Sequence, residues 1–204
     1  MSLRAVEKQV LERPFFERDT RIVARELLGK YLVHRLSKRE IRAARIVETE
    51  AYHGFDDRAS HASRGPTPRN RVMFGKAGYA YVYICYGIHH LLNFVTAGED
   101  FPAAVLVRGA DRGEGFTANA IGPGRLTRAL GIHRDMHNGL DIAARGTTLW
   151  VEAREPLHEP IATSPRIGVD YAGECAKRPW RYYIPGSLEP KSKTKTQTAY
   201  RRSG

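Results

Sequence analysis

Sulfur is scarce in this chain. Cys85 and Cys175 are the only cysteines among 204 residues, and neither has a CxxC neighbour. That leaves no basis for a disulfide framework or a thiolate metal knuckle, so both read as reduced, partly buried thiols. Long apolar runs are absent as well: none reaches the roughly 18 residues of a membrane span. The opening MSLRAVEKQVLERP alternates charged and apolar residues and has no signal-peptide core, which predicts an intracellular protein. No G-x-G-x-x-G or Walker loop follows a strand-like run, and no internal repeat is visible. Acids are in deficit, with 22 Asp and Glu against 33 Lys and Arg, a formal net charge of +11. Such a field attracts polyanions, and nucleic acid is the first partner to consider, a merely basic soluble protein the second.

What is present suffices for one core: 42% of residues are apolar and 9% aromatic. Residues 1–18 read as irregular, broken at Pro14. Asp19 or Thr20 can cap a helix whose apolar face is Ile22, Val23, Leu27 and Leu28, with Gly29 as its stop. Strands are predicted over 31–36, 41–52, 80–86, 91–95, 103–108, 149–153 and 180–184, with Ser37–Glu40 as a hairpin turn. Gly122-Pro123-Gly124 reads as a turn, 125–130 as a helix start and 171–176 as a short helix. Residues 53–79 form a long irregular stretch, often a functional feature in a compact domain. Many short strands with few helices favour an antiparallel or mixed sheet over βαβ units. From Lys191 the chain reads KSKTKTQTAYRRSG, basic and poor in apolar residues, and a flexible tail over 191–204 is expected after a single domain over 1–190.

Three stretches carry chemistry. In RIVETEAYHG, residues 45–54, a strand would place Glu48, Glu50 and Tyr52 on one side. A solvated strand edge accounts for two glutamates but not for the tyrosine beside them, nor for the polar loop with Asp56, Asp57 and His61. In YAYVYICYG, residues 79–87, Tyr79, Tyr81 and Tyr83 alternate, and Tyr86 falls just out of register beside Gly87. Such a stripe is commonly core or interface; next to an acid-bearing strand in a basic protein, its flat rings can also sandwich a base. TPRNR (67–71) and RPWRYY (178–183) set arginines beside turn formers and aromatics, suited to phosphates or to plain surface charge.

Taken together, the sequence resembles the alkyladenine (3-methyladenine) DNA glycosylase family of mammalian type, which also has bacterial members. The matching segments are ARELLGKYLVHRL, RIVETEAYHGFDDRASHASRG, TPRNRVMF, YVYICYGIHHLLNFV, VLVRGADR, GPGRLTRALGI and RIGVDYAGECAKRPWRYYI, running from roughly residue 20 to 187. The short N-terminus fits a bacterial member. The resemblance implies an α+β fold, a single domain with a curved, mainly antiparallel, partly open barrel-like sheet flanked by short helices. It implies a monofunctional DNA repair glycosylase that flips an alkylated or deaminated purine from duplex DNA, cuts its N-glycosidic bond and leaves an abasic site. By motif position Glu50 is the general base and Arg108 helps hold the attacking water. Tyr52, His61 and Tyr83 pack the flipped base, Asn93 screens its edge and Tyr86 fills the gap in the duplex. Arg69, Arg71 and Arg125 are assigned to the DNA backbone, and Glu48 is given no catalytic role. No cofactor or metal is implied, the protein acts as a monomer, and its location is cytoplasmic in a bacterium or nuclear in a eukaryote. Two departures from the mammalian pattern stand out: Ile88-His89-His90 after Tyr86-Gly87, where larger apolar and aromatic residues are usual, and the loop at Gly98–Pro102.

Three other readings remain open at this point. A carbohydrate hydrolase would use Glu48 and Glu50 as its carboxylate pair. A metal-dependent nuclease would draw on Glu50, Asp56, Asp57 and His61. A non-catalytic basic DNA-binding protein would only intercalate its tyrosines.

Overall fold

The computed structural model describes residues 9–188. The expected tail from Lys191 lies outside them. An α-helix at Thr20–Glu26 (α2) starts where a short acid permits it, because Asp19 accepts the Arg21 backbone N–H at 2.8 Å. Its Val23 and Ala24 enter the core, and Gly29, at φ +82°, turns the chain into the next strand. Strand β2 (Tyr31–Arg35) then pairs antiparallel with β3 (Ile41–His53) around the Ser37 turn.

The long strand β3 is the trunk of the fold. Its first half has β2 on one side. Near Glu48 that neighbour gives way to β9 (Arg181–Tyr183), while β6 (Ala103–Glu114) runs along the other side. Beyond β6 come β5 (His89–Val95) and β4 (Ala80–Cys85). On the opposite flank β7 (Leu149–Ala153) joins β2, and β1 (Gln9–Val10) edges β7, while β8 (Ala162–Ser164) pairs only with β9. All these pairings are antiparallel. The result is one α+β domain with an open, mainly antiparallel sheet and few short helices: α1 (Arg13–Phe16), α2, α3 (Pro123–Leu130) and α4 (Arg134–His137). The main core gathers Phe16, Leu27, Leu32, Ile46, Phe94, Val105, Leu126, Leu130 and Ile142 between the sheet and α2 and α3. Among the described residues no helix is long and apolar enough to cross a membrane.

Several expected boundaries move. Residues 9–16 are not irregular: they carry β1, held only by its two pairs to β7, and then α1 with Pro14 in its first turn. Pro123 and Gly124 belong to α3 for the same reason, so the expected turn is a helix start. Strand β4 stops at Cys85, because Tyr86 and Gly87 take φ of +51° and +72° and the Ile88 N–H closes a turn on the Cys85 carbonyl. The segment at 170–177 is a pair of 3-10 turns kinked at Gly173, not one helix.

The pairing of β3 with β6 shifts register three times, and the two shifts on either side of Glu48 offset each other. Ile46 faces Ala110 and Glu48 faces Gly109, so Val47 is the extra residue in β3. Glu48 faces Gly109 and Thr49 faces Val107, so Arg108 is the extra residue in β6. Bulges re-aim side chains, and this one turns Arg108 toward the acids of β3.

Candidate active site

Glu50 sits mid-sheet, opposite Leu106 on one side and Arg181 on the other, and its exposure is 0%. A carboxylate so placed has to find donors within the protein. Oε2 accepts the Tyr52 hydroxyl at 2.8 Å and Arg108 Nη1 at 3.4 Å; Oε1 accepts the Ile167 backbone N–H at 2.8 Å. Burial pushes the Glu50 pKa upward. Arg108, the Ile167 N–H and the Tyr52 hydroxyl pull it back only in part, so it stays above the usual carboxylate range. Glu48 shares this face: its Oε1 takes Arg181 Nε at 2.6 Å and Arg108 Nε at 3.1 Å. One guanidinium therefore bridges both acids, and a second secures Glu48. A side chain at Gly109 would press on Glu48, its Cβ lying 3.3 Å from Oε2.

Beside this cluster opens a cavity of about 310 Å³. Tyr52, His61, Tyr83, Asn93, Arg108 and Arg69, all singled out from the sequence, line it. Glu50 is not on its wall but directly behind Tyr52 and Arg108. The His61 and Tyr83 rings meet edge to face at 4.6 Å, and Tyr81 lies 5.5 Å from Tyr83. Burial raises the phenol pKa of Tyr52 and Tyr83, and that of Tyr81 to about 12, so all three stay neutral. Burial also lowers the His61 pKa, which favours the neutral ring. Asn93 donates Nδ2 to the Tyr81 carbonyl at 3.0 Å, which fixes its carboxamide against the cavity wall.

The expected arginines part company. Arg69 reaches back to the cavity, where its guanidinium lies 5.2 Å from the Tyr83 ring centre and Nη2 donates to the Ile84 carbonyl at 3.3 Å. Arg71 is exposed in the 3-10 turn Arg71–Phe74. Arg125 lies at the start of α3, in a separate basic cleft with Arg42 and Arg128. Tyr86 stands 91% exposed at the cavity mouth.

The three acids and the histidine of the nuclease reading do not converge: Asp57 is locked to Arg166, Asp56 lies in another cleft and Glu50 is held by Arg108. Among the described residues no group of three or more His, Cys, Asp or Glu is placed to hold a metal ion. Sequence reasoning put Tyr81 in the tyrosine stripe without giving it a role of its own, and gave no site role to Tyr171 and the segment Ile167–Val169 on the cavity wall or to Arg166 behind it. Tyr81 was within reach, since it shares the alternation of Tyr83. The others lie in the matching segment that begins at Arg166, where no residue type by itself points to the cavity.

The family model described as methylpurine-DNA glycosylase (MPG) matches residues 14–188. The chain belongs to that family. Relatives agree. A protein of Anaeromyxobacter dehalogenans (strain 2CP-1) is 55% identical over 177 residues, 87% of this chain and 83% of its own. One from Methanocella arvoryzae is 50% identical over 191 residues, 87% and 94% of the two chains. One from Legionella pneumophila (strain Corby) is 46% identical over 180 residues, 85% and 93%. Each of the three bears the name "Putative 3-methyladenine DNA glycosylase". As a member of the methylpurine-DNA glycosylase family the protein is a DNA glycosylase, an enzyme of base excision repair whose substrate is DNA.

Proposed function

We propose that the protein flips alkylated or deaminated purines of the 3-methyladenine, 7-methylguanine, hypoxanthine and ethenoadenine class out of duplex DNA and hydrolyses their N-glycosidic bond. The observation that carries this reading is the tyrosine-lined cavity with a buried carboxylate directly behind its wall. Tyr52, His61 and Tyr83 present ring faces and edges to a flipped base, and Asn93 tests its edge. Cationic bases, alkylated at N3 or N7, gain additionally from electron-rich rings.

Water adds to C1′ of the sugar as the bond from C1′ to the purine nitrogen breaks, and the bonding pair leaves with the base. Glu50 takes the proton from that water, and its charge stabilises the positive charge developing on the sugar. Arg108 holds the water and favours the ionised acid. Because Glu50 is sealed, reaching it requires movement at Tyr52 or Arg108, whose bonds to Oε2 are those a water would replace. Tyr86, exposed and set on a turn, fills the space the base leaves. Arg71 and Arg125 contact phosphates, and Arg69 works closer to the base. The protein acts as a monomer, without a cofactor.

The test is base release from duplex oligonucleotides bearing single lesions, in chelator, with Glu50→Gln beside wild type. Loss of release by about a hundredfold or more, with binding retained, is expected for removal of a general base. Lesion binding by wild type with no release would favour the binding-only reading.

A further inference from the structure

Arg166 is a charged side chain wholly inside the protein and outside the cavity wall. It forms a bidentate pair with Asp57, Nη1 to Oδ2 at 2.5 Å and Nη2 to Oδ1 at 2.7 Å. Nη1 also donates to the Ala51 carbonyl at 2.8 Å and Nη2 to the Cys175 carbonyl at 3.0 Å. Its Nε is the one buried side-chain nitrogen or oxygen among the described residues without a hydrogen-bond partner. The guanidinium carbon lies 4.8 Å from the Tyr52 ring centre and 5.1 Å from that of Trp180, so the group is flanked by two rings. A buried ion pair is a poor source of stability, and an orphaned donor makes it poorer. A flat, charged fork is well suited to fixing its neighbours.

Those neighbours are the site. Ala51 stands between Glu50 and Tyr52, and Arg166 holds its carbonyl. The guanidinium carbon lies over the Tyr52 ring. The next residue, Ile167, supplies the N–H on Glu50 Oε1. Asp57 in turn accepts the backbone N–H groups of His53 and Ala59, each at 3.3 Å, tying down the turn from the end of β3 to the cavity wall. We infer that Arg166 is a positioning residue, which holds the Glu50 carboxylate and the Tyr52 ring in fixed relation through Ala51, Ile167 and Asp57. The inference rests on the proposed reaction.

A positioning role affects the pH at which Glu50 works, and a purely structural one does not. The groups facing Glu50 are Arg108 from β6, Glu48 and Tyr52 from its own strand, Tyr83 from β4, and Arg166 with the Ile167 N–H from the loop after β8; Arg181 of β9 is engaged with Glu48. Loss of the Ile167 N–H bond destabilises the carboxylate, so the acid limb of the rate profile moves to higher pH. The experiment is the pH profile of lesion-base release under single-turnover conditions for wild type, for paired Asp57→Asn/Arg166→Gln, and for Arg166→Lys. In the paired variant the limb is expected to rise by about one pH unit. Arg166→Lys keeps the buried charge but loses the fork, so it should shift in the same direction by less; it carries the test if the paired variant does not fold. A uniform drop in rate with the limb unmoved in every folded variant would overturn the inference. Absence of release by wild type would overturn the proposed reaction and this role with it.

Discussion

The Tyr52 hydroxyl donates to Glu50 Oε2 at 2.8 Å, from a residue two positions along the same strand. The ring that lines the cavity and the acid behind it are thus one hydrogen-bonded unit. Tyr52→Phe keeps the ring and removes the donor. Since that donor lowers the Glu50 pKa, its loss should move the acid limb of base release to higher pH, while the rate well above the limb stays within about tenfold of wild type. A pH-rate profile with an unmoved limb would show that the bond has no bearing on the acid.

Tyr86 combines high exposure with a positive φ, a costly arrangement for a bulky side chain. Tyr86→Gly should therefore stabilise the fold, by about 1 kcal/mol in urea unfolding. The same variant should bind lesion duplex more weakly and release base more slowly. A variant that is both more stable and fully active would remove Tyr86 from any role in DNA.

His34 and His137 are buried ring to ring, Nε2 to Nε2 at 3.1 Å. One neutral tautomer arrangement satisfies the ring-to-ring bond and the Leu130 carbonyl, and leaves the His133 carbonyl, 2.9 Å from His137 Nδ1, without a proton from that nitrogen. The Leu130 carbonyl can only accept, so His34 Nδ1 carries the proton and His34 Nε2 accepts from His137 Nε2; His137 Nδ1 then accepts the His133 N–H. A further proton on His34 Nε2 sets two N–H groups against each other across the ring pair. Burial lowers both pKa values, and the backbone bonds, to Leu130 at His34 and to His133 at His137, oppose it only in part. The sign follows: both rings are neutral when folded, and the unfolded chain gains protons below about pH 6.5. Stability should be full above that pH and fall below it, by up to about 1.4 kcal/mol per pH unit for each histidine. Urea midpoints between pH 5 and 8 check this, and His137→Gln should flatten the slope.

The net charge of +11 predicts binding that weakens steeply with salt, by roughly a hundredfold or more between about 50 and 200 mM. The arginines should separate in the same titrations. Arg125→Ala should weaken damaged and undamaged duplex alike and shallow the salt slope by about one. Arg69→Ala, beside the Tyr83 ring, should mainly erode the preference for damaged DNA. Equal effects of the two substitutions would refute that division.

Much of this arrangement was legible in the sequence. Alternation placed Glu48, Glu50 and Tyr52 on one face, the Ser37 turn joined β2 to β3, and the motifs marked seven residues that line the cavity, Tyr86 at its mouth among them. Illegible features depended on partners far along the chain. Strand β1 exists only through β7, and no local pattern in two residues announces it. The bond from Arg166 to Asp57 spans 109 positions, and an arginine between Pro165 and Ile167 reads as surface charge until its pair is seen. Arg108 lies on a strand as expected, but its unpaired position follows from the register of β3 against β6, which neither strand encodes by itself.

That register has a consequence for how the enzyme can change. The slip introduced by Val47 is cancelled by the slip at Arg108, so the frame is the same on both sides of the site. Arg108 has no ladder partner in β3, so replacing it removes its bonds to Glu48 and Glu50 but no register pair of the sheet. The scaffold is therefore insulated from the position that meets both acids, and variation there can retune the chemistry while the sheet keeps its alignment.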